Sequence, residues 1–137
     1  MSLFEIFDTA ASGMSAQSLR LNLVASNMSN VDSVSSSVAQ TYRARHPVFR
    51  AVLDGMNPDE PAVSVRVAGI VESQAPLRRE FAPDHPLADQ DGYIFRPNVD
   101  LVEEMANMIS ASRAYQSNVE VINAAKQMLT ATLRLGS

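Results

Sequence analysis

The sequence predicts an α+β protein: long N- and C-terminal α-helices pair as a coiled-coil shaft, with a small β-rich middle domain between them. Three observations predict it. All seven prolines lie between Pro47 and Pro97, and proline breaks helix interiors, so long helices fit the two flanks and not the middle. Both flanks carry apolar residues at alternating steps of three and four, the seam of a coiled coil. In the middle, Val63-Ser64-Val65-Arg66-Val67-Ala68 alternates apolar with small or polar side chains, the period of a strand. The expected divisions are 1–30, 31–98 and 99–137.

The first helix opens on Ser2-Leu3-Phe4-Glu5, a capping-box pattern, and Asp8 adds negative charge near the positive end of the helix dipole. Its seam runs Leu3, Phe7, Ala10, Met14, Gln17, Leu21, Val24, Met28, Val31. The middle follows with a Ser-rich loop over 32–37. Thr41–Arg45 and Val48–Leu53 are further strand candidates, Asp54-Gly55 and Asp91-Gly92 are turn signals, and Tyr93–Arg96 reads as a last short strand. The second helix begins after Pro97-Asn98. Asp100 is placed to cap it, and Glu103 and Glu104 make its first turn acidic. Its seam reads Leu101, Met105, Met108, Ser112, Tyr115, Val119, Ile122, Lys126, Leu129, Leu133, and Arg134 and Gly136 suit a helix end. Helices over 3–30 and 99–135 would be roughly 42 and 55 Å long. Both exceed the roughly 37 Å diameter of a compact globule of this length, so they are expected to project as a rod.

The stretch Ala11–Val31 poses a question. Away from its seam it carries Ser, Asn, Gln and Ala, with Arg20 as its one charge. The apolar residues off the two seams (Phe4, Ile6, Leu19, Leu23, Val102, Ile109, Val121, Met128, Leu135) would stay wet in a lone helical hairpin, a patch of the kind that marks an interface. Small polar side chains let helices approach closely. The expectation is that other subunits cover this second face, and that a repeated contact between unlike surfaces builds a helical filament.

Composition narrows the chemistry. A net charge of −4 over 137 residues argues against nucleic acid as the main partner, because phosphate binding needs concentrated positive charge. There is no cysteine, hence no disulfide or thiolate site. No run approaches the roughly 18 apolar residues of a membrane span, and Glu5 and Asp8 precede the first basic residue, unlike a secretory signal. Ten of the eleven basic residues are Arg, which suits interfaces and equally a GC-rich genome. Asp84-His85 with Asp89 and Asp91 lacks the spacing of a calcium loop. There is no G-x-S-x-G and no Gly-rich phosphate loop, and His46 and His85 read as surface residues. Arg43, Arg45 and Arg50 form a small basic cluster that reads as a solvated face or as a salt bridge to a neighbouring subunit, ahead of nucleic acid. No catalytic, metal or cofactor residue is expected, and the protein is not expected to be an enzyme. The alternative is a peptidoglycan-acting or ligand-binding module on a helical stalk, which would need Glu72, Glu80 and Asp84 as its carboxylates.

The segment SGMSAQSLRLNLVASNMSNVDS (12–33) resembles the N-terminal signature of bacterial flagellar rod and hook proteins. TYRARHPVF (41–49) and GYIFRPNVDLVEEMANMISASRAYQSNVEVINAAKQMLTATLRLG (92–136) are similar to the rod members of that family. The Asp32–Gln40 loop lacks the T-P-G-Y run of the longer hook and distal-rod members. The resemblance implies a structural subunit of the basal-body rod, a tubular drive shaft in the periplasm. Export would run through the flagellar type III apparatus, without a cleaved signal peptide. Partners would be other copies of the chain and other rod proteins (FlgB, FlgF, FlgG, FliE), with no nucleic acid and no membrane span. Motif residues Ser26, Asn27, Asn30, Val31, Asn98, Glu103, Glu104, Met105, Met108, Arg113, Tyr115, Asn118 and Asn123 would then serve the assembly interface. Leu3, Phe7, Met14, Leu21, Val24, Met28, Val119, Ile122, Leu129 and Leu133 of the seams would join them. Asn27 and Asn30 read as well as the local terminus of the first helix, and Tyr115 as a seam residue.

Overall fold

A computed structural model describes residues 3–54 and 62–135. Six elements follow in order: α1 (Leu3–Ser29), β1 (Arg45–Asp54), β2 (Ala62–Glu72), β3 (Arg78–Phe81), β4 (Tyr93–Arg96) and α2 (Leu101–Leu135). The expected roles of Ser2, Gly55 and Gly136 fall outside the described residues. The α+β class and the two long terminal helices are as the sequence predicts. At 27 and 35 residues the helices are roughly 40 and 52 Å long. The chain exposes 9144 Å², against roughly 7000 Å² for a compact monomer of its mass.

Each helix terminus has a local cause. Asp100 Oδ1 accepts from the N–H groups of Val102 (2.9 Å) and Glu103 (3.2 Å), so α2 starts at Leu101 and not at 99. Asn30 Nδ2 donates to the Ser26 carbonyl (2.8 Å), satisfying one of the last acceptors of α1. The chain then turns off through Ser33, whose N–H and hydroxyl both donate to Asn30 O.

The helices pack antiparallel. Gly13 lies against Asn118, and a Cβ at Gly13 would sit 3.0 Å from Asn118 Nδ2. Further along, Arg20 Nη2 donates to Asn107 Oδ1 at 2.7 Å. The α1 seam is as expected, with Ala10 and Val24 buried and Leu3, Phe7, Met14, Leu21 and Met28 half-buried. The α2 seam needs correction. Its innermost residues are Glu104, Ala111 and Ala125, with Met108, Tyr115, Asn118, Ile122 and Leu129 half-buried beside them. Leu101, Met105, Lys126 and Leu133, which the spacing placed inward, are exposed, while Ser112 and Val119 lie half-buried at the margin. The reason is size. Alanine and glycine let two backbones close in, so the closest line of contact follows Ala111, Asn118 and Ala125. Counting large apolar residues points one position too far along.

The middle contains two antiparallel hairpins, β1 with β2 and β3 with β4. β1 and β2 pair from Arg45↔Glu72 to Asp54↔Ala62, with a bulge between Val48 and Phe49. The bulge lets a ten-residue ribbon twist, and the twisted ribbon crosses α1. At its base Asn27 takes both backbone polar groups of Arg45 on β1, while further along Ser12 Oγ accepts from Val65 N–H on β2 (3.0 Å). Opposite strands of the ribbon therefore face the helix at its two ends. Much of the small-residue face that the sequence assigns to other subunits is covered by this ribbon: Ala16 is buried, and Ser12, Leu19, Leu23 and Ser26 are half-buried. What stays open on α1 is the narrower stripe Phe4, Asp8, Ala11, Ser15, Ser18, Asn22, Ala25, Ser29.

Two strand expectations shift. Residues 41–44 are not extended pairing strand: the Ala44 N–H donates to Asn98 Oδ1 and the Thr41 hydroxyl to the Ser37 carbonyl. β3 was not expected, since its sequence RREF shows no apolar alternation. It forms because Phe81 packs edge-on to Tyr93 with ring centres 5.1 Å apart and Arg79 stacks on the same ring at 3.7 Å. Arg78 and Arg96 face each other across β3–β4, a repulsive pairing. It is relieved because Arg96 turns to Glu80 (2.7 Å) and Arg78 to the carbonyls of Pro97 and Val31. Ser35 exchanges two backbone hydrogen bonds with Phe95 as a one-residue third strand, over buried Ile94. The Asp91-Gly92 turn is as expected. Gly92 has φ of 80° and a Cβ there would meet Phe81 at 3.0 Å, so glycine is required.

The corrected seam makes a clear prediction. Ala111→Leu forces extra volume into a fully buried close contact and should destabilise the chain by about 1–3 kcal/mol. Met105→Ala, on the outside, should change stability by less than about 0.5 kcal/mol. Thermal unfolding followed at 222 nm measures both, and the opposite ranking would restore the sequence-derived seam.

Candidate assembly surface

The largest fully buried side chains among the described residues are Ile94, Asn27 and Pro97. Asn27 is fully buried. Its Nδ2 donates to Arg45 O (3.0 Å), and its Oδ1 accepts from Arg45 N–H (2.9 Å) and from the Tyr42 hydroxyl (2.8 Å). The amide thus pairs with the Arg45 backbone as a neighbouring strand would. Since the Tyr42 proton is committed to Asn27, Ser26 Oγ donates to Tyr42 Oη at 3.2 Å. The Arg45 guanidinium lies over the Tyr42 ring at 5.3 Å.

Asn98 does the same work from the α2 side. Its Oδ1 accepts from Ala44 N–H (2.8 Å), and its Nδ2 donates to the carbonyls of Ser73 (3.2 Å) and Ala75 (2.9 Å). Arg43 Nη1 reaches the same two carbonyls, and Ser73 N–H donates to Ala44 O at 2.8 Å. Residues 42–45 are therefore clamped between one asparagine from the end of α1 and another from the approach to α2. Ion pairs add little here. Arg45–Glu72 spans 3.5 Å between half-exposed side chains.

The predicted site residues divide into three sets. Ser26, Asn27, Asn30 and Asn98 build the junction, and their hydrogen bonds run within the chain. Leu3, Phe7, Met14, Leu21, Val24, Met28, Val31, Glu104, Met108, Tyr115, Asn118, Val119, Ile122 and Leu129 lie inside or along the helix pair. Glu103, Met105, Arg113, Asn123 and Leu133 face outward. Glu104 is only 2% exposed and its Oε2 has no hydrogen-bond partner, a cost the shaft carries. Sequence reasoning missed Tyr42, Arg43 and Ser12 as positioning groups. No periodic signal marks them, because what they touch is backbone or the Asn27 amide.

Outward-facing apolar residues form two patches on α2. Val102 (75% exposed), Met105 and Ile109 lie on the side turned from α1 near the junction. Val121, Met128 and Leu135, with Ala124 and Ala131 between them, form a stripe along the far half. That stripe repeats in steps of three and four, a second seam that stands exposed among the described residues. Two of the three carboxylates of the alternative reading are in ion pairs, Glu72 with Arg45 and Glu80 with Arg96, and Asp84 is exposed. Asp89 Oδ1 accepts from the N–H groups of Asp91 (3.0 Å) and Tyr93 (2.8 Å), which makes it a turn residue. Among the described residues no group of three His, Asp or Glu is placed to hold a metal, and no helix is long and apolar enough to cross a membrane.

Both helices and the junction lie in regions where known families match the chain. Residues 7–35 match the family described as flagella basal body rod protein, and residues 90–135 match the flagellar basal body rod FlgEFG protein C-terminal family. The chain is 52% identical over 136 residues to the flagellar basal-body rod protein FlgC of Yersinia enterocolitica, covering 99% of each. It is 48% identical over 136 residues to FlgC of Salmonella typhimurium, again covering 99% of each. The chain belongs to the FlgC family of flagellar basal-body rod proteins. Divergence goes further within it: FlgC of Borreliella burgdorferi is 35% identical over 149 residues, with 98% of each chain covered. Both family matches reach into the asparagine junction, the first spanning Asn27 and the second Asn98.

Removing the clamp tests the junction. Asn27→Ala leaves both polar groups of Arg45 and the Tyr42 hydroxyl without their partner, and should cost about 2–3 kcal/mol. Urea unfolding reads the loss. Hydrogen exchange should show the Arg45 amide opening with it, whereas an unchanged midpoint would mean the clamp holds nothing.

Proposed function

We propose that this structural subunit of the flagellar basal-body rod builds a tubular drive shaft through its terminal helices, and that the shaft transmits torque. The observation that carries this reading is the pair of apolar patches on α2, on the outside of a helix pair whose own core is thin. Of the eight buried hydrophobic residues among those described, five are alanine. A core of that size stabilises a lone subunit weakly. Val102, Ile109, Val121, Met128, Leu133 and Leu135 are each more than 40% exposed, and covering them would add the missing apolar burial.

In this reading the partners are other copies of the chain and the other rod proteins, FlgB, FlgF, FlgG and FliE. The assembly stands in the periplasm, and the chain reaches it through the flagellar type III export apparatus without losing a signal peptide. The helix pair, over 1–30 and 99–137, is the shaft unit, and 31–98 supplies the ribbon that braces α1. No catalysis is assigned. The asparagine clamp ties ribbon to shaft, so a load on one reaches the other through hydrogen bonds with fixed geometry.

A double substitution on the outer face tests it. Val102→Asp with Ile109→Asp should leave the helical signal and the melting temperature of the purified chain within a few degrees of the parent, because both side chains already face water. In cells the same chain should be made and yet yield no basal-body rods and no swimming. Normal motility would overturn the reading.

A further inference from the structure

Two buried acceptors on the helix pair lack a donor. Glu104 is 2% exposed and its Oε2 has no hydrogen-bond partner, and Gln17 Oε1 is buried and unpartnered as well. A carboxylate taken out of water without a partner costs far more than an amide oxygen, so Glu104 is the group that calls for a cation. It stands in the first turns of α2, after the Asp100 cap, where the positive end of the helix dipole favours its charge without giving Oε2 a hydrogen bond. The arginines of the junction are held by other groups: Arg43 and Arg78 by carbonyls, Arg45 by Glu72 and Arg96 by Glu80. On α2 no cation precedes Arg113, which is exposed, and on α1 Arg20 is the one cation. Arg20 Nη2 donates to Asn107 Oδ1 at 2.7 Å. Asn107 and Glu104 are three residues apart on α2, hence neighbours on one helix face. The guanidinium therefore rests on a neutral amide about one turn from a buried carboxylate oxygen that has no donor. The outer side of the same turns carries Val102, Met105 and Ile109, all exposed.

We propose that Arg20 and Glu104 are a positioning pair completed by assembly: in the rod the Arg20 guanidinium leaves Asn107 and pairs with the Glu104 carboxylate. This rests on the assembly reading above and adds a change inside the subunit. The drive is loss of water. Neighbours that cover Val102, Met105 and Ile109 dry the turns on which Glu104 and Asn107 stand. A lower local dielectric raises the cost of a bare carboxylate and strengthens its attraction to a guanidinium. The move is about one turn along α2, within the swing of an arginine side chain. The planar fork then gives the carboxylate two parallel hydrogen bonds in place of the single bond to the amide. Before assembly the same carboxylate works against the helix pair, so the pair tightens only once it is built in.

A double-mutant cycle on the full chain, read before and after assembly, tests it. The variants are Glu104→Gln, Arg20→Met and the two together. In the purified chain the two side chains act separately. Glu104→Gln should raise the melting temperature by removing an unpaired buried charge, Arg20→Met should lower it through loss of the Asn107 bond, and the double variant should show the sum. In isolated basal bodies each single substitution should lower the urea concentration at which the rod dissolves. The double variant should do no more harm than the worse single one, because one pair is lost only once. Arg20→Lys keeps the charge without the fork and should retain part of the rod's resistance; it also replaces Arg20→Met in the cycle should that chain not fold. A Glu104→Gln chain that melts higher and yet builds no rods supports the pair. Three results would overturn it: a lower melting temperature for purified Glu104→Gln, Glu104→Gln rods that dissolve at the parental urea concentration, or losses in the rod that add up in the double variant. All three leave the rod function standing, which fails instead if the parental chain is absent from the rod.

Discussion

The fold depends on how closely α1 and α2 approach. Gly13 faces Asn118, and Ala10, Ala111 and Ala125 line the contact. Small side chains bring the backbones together and leave little apolar volume between them. Close packing yields dispersion and a stiff geometry, but the apolar area removed from water per residue is modest. The larger apolar side chains consequently sit on the flanks and outside of the pair. A helix pair built this way is thin and leaves apolar surface for neighbours, which suits a rod subunit.

The same economy shapes the middle of the chain. An isolated two-stranded ribbon is marginal in water, and this one gains its place by lying on α1 over Ser12, Ala16 and Leu19. Its base is fixed by polar groups and not by a core. Asn27 and Asn98 saturate the backbone of residues 44 and 45 and of the 73–75 turn. Buried amides in a fully paired network hold one geometry well, whereas an apolar contact of the same size would tolerate sliding. The angle between ribbon and helices is thus set by two side chains at the point where both helices meet the middle.

Much of this was legible in the sequence, for physical reasons that can be named. The proline distribution and the Asp100 cap located both helices to within two residues, because backbone chemistry acts locally. The β2 strand was visible as alternation from Val63 to Ala68. The line of closest helix contact was not, because Ala111, Asn118 and Ala125 carry no hydrophobic weight against neighbours such as Met105 and Val119. Nor was the ribbon on α1: Ser12 and Ala16 would look the same whether a neighbouring subunit or the chain itself covered them. The roles of Tyr42 and Arg43 were invisible because their contacts are to backbone or to an amide, which leaves no period. The motif asparagines were legible as important, and Asn27 and Asn30 read equally well as the end of α1; that Asn27 and Asn98 hold the backbone of residues 44 and 45 became clear only from the geometry.

The central claim is that α1 is already covered within one chain on all but a narrow stripe, while the far half of α2 waits for a neighbour. Hydrogen exchange on the isolated chain and on assembled rods measures this directly. In the isolated chain, amides of residues 12–27 should be protected and those of 121–135 should exchange quickly, and in rods both segments should be slow. Equal protection of residues 121–135 in the isolated chain, or fast exchange there in the rod, would contradict the account.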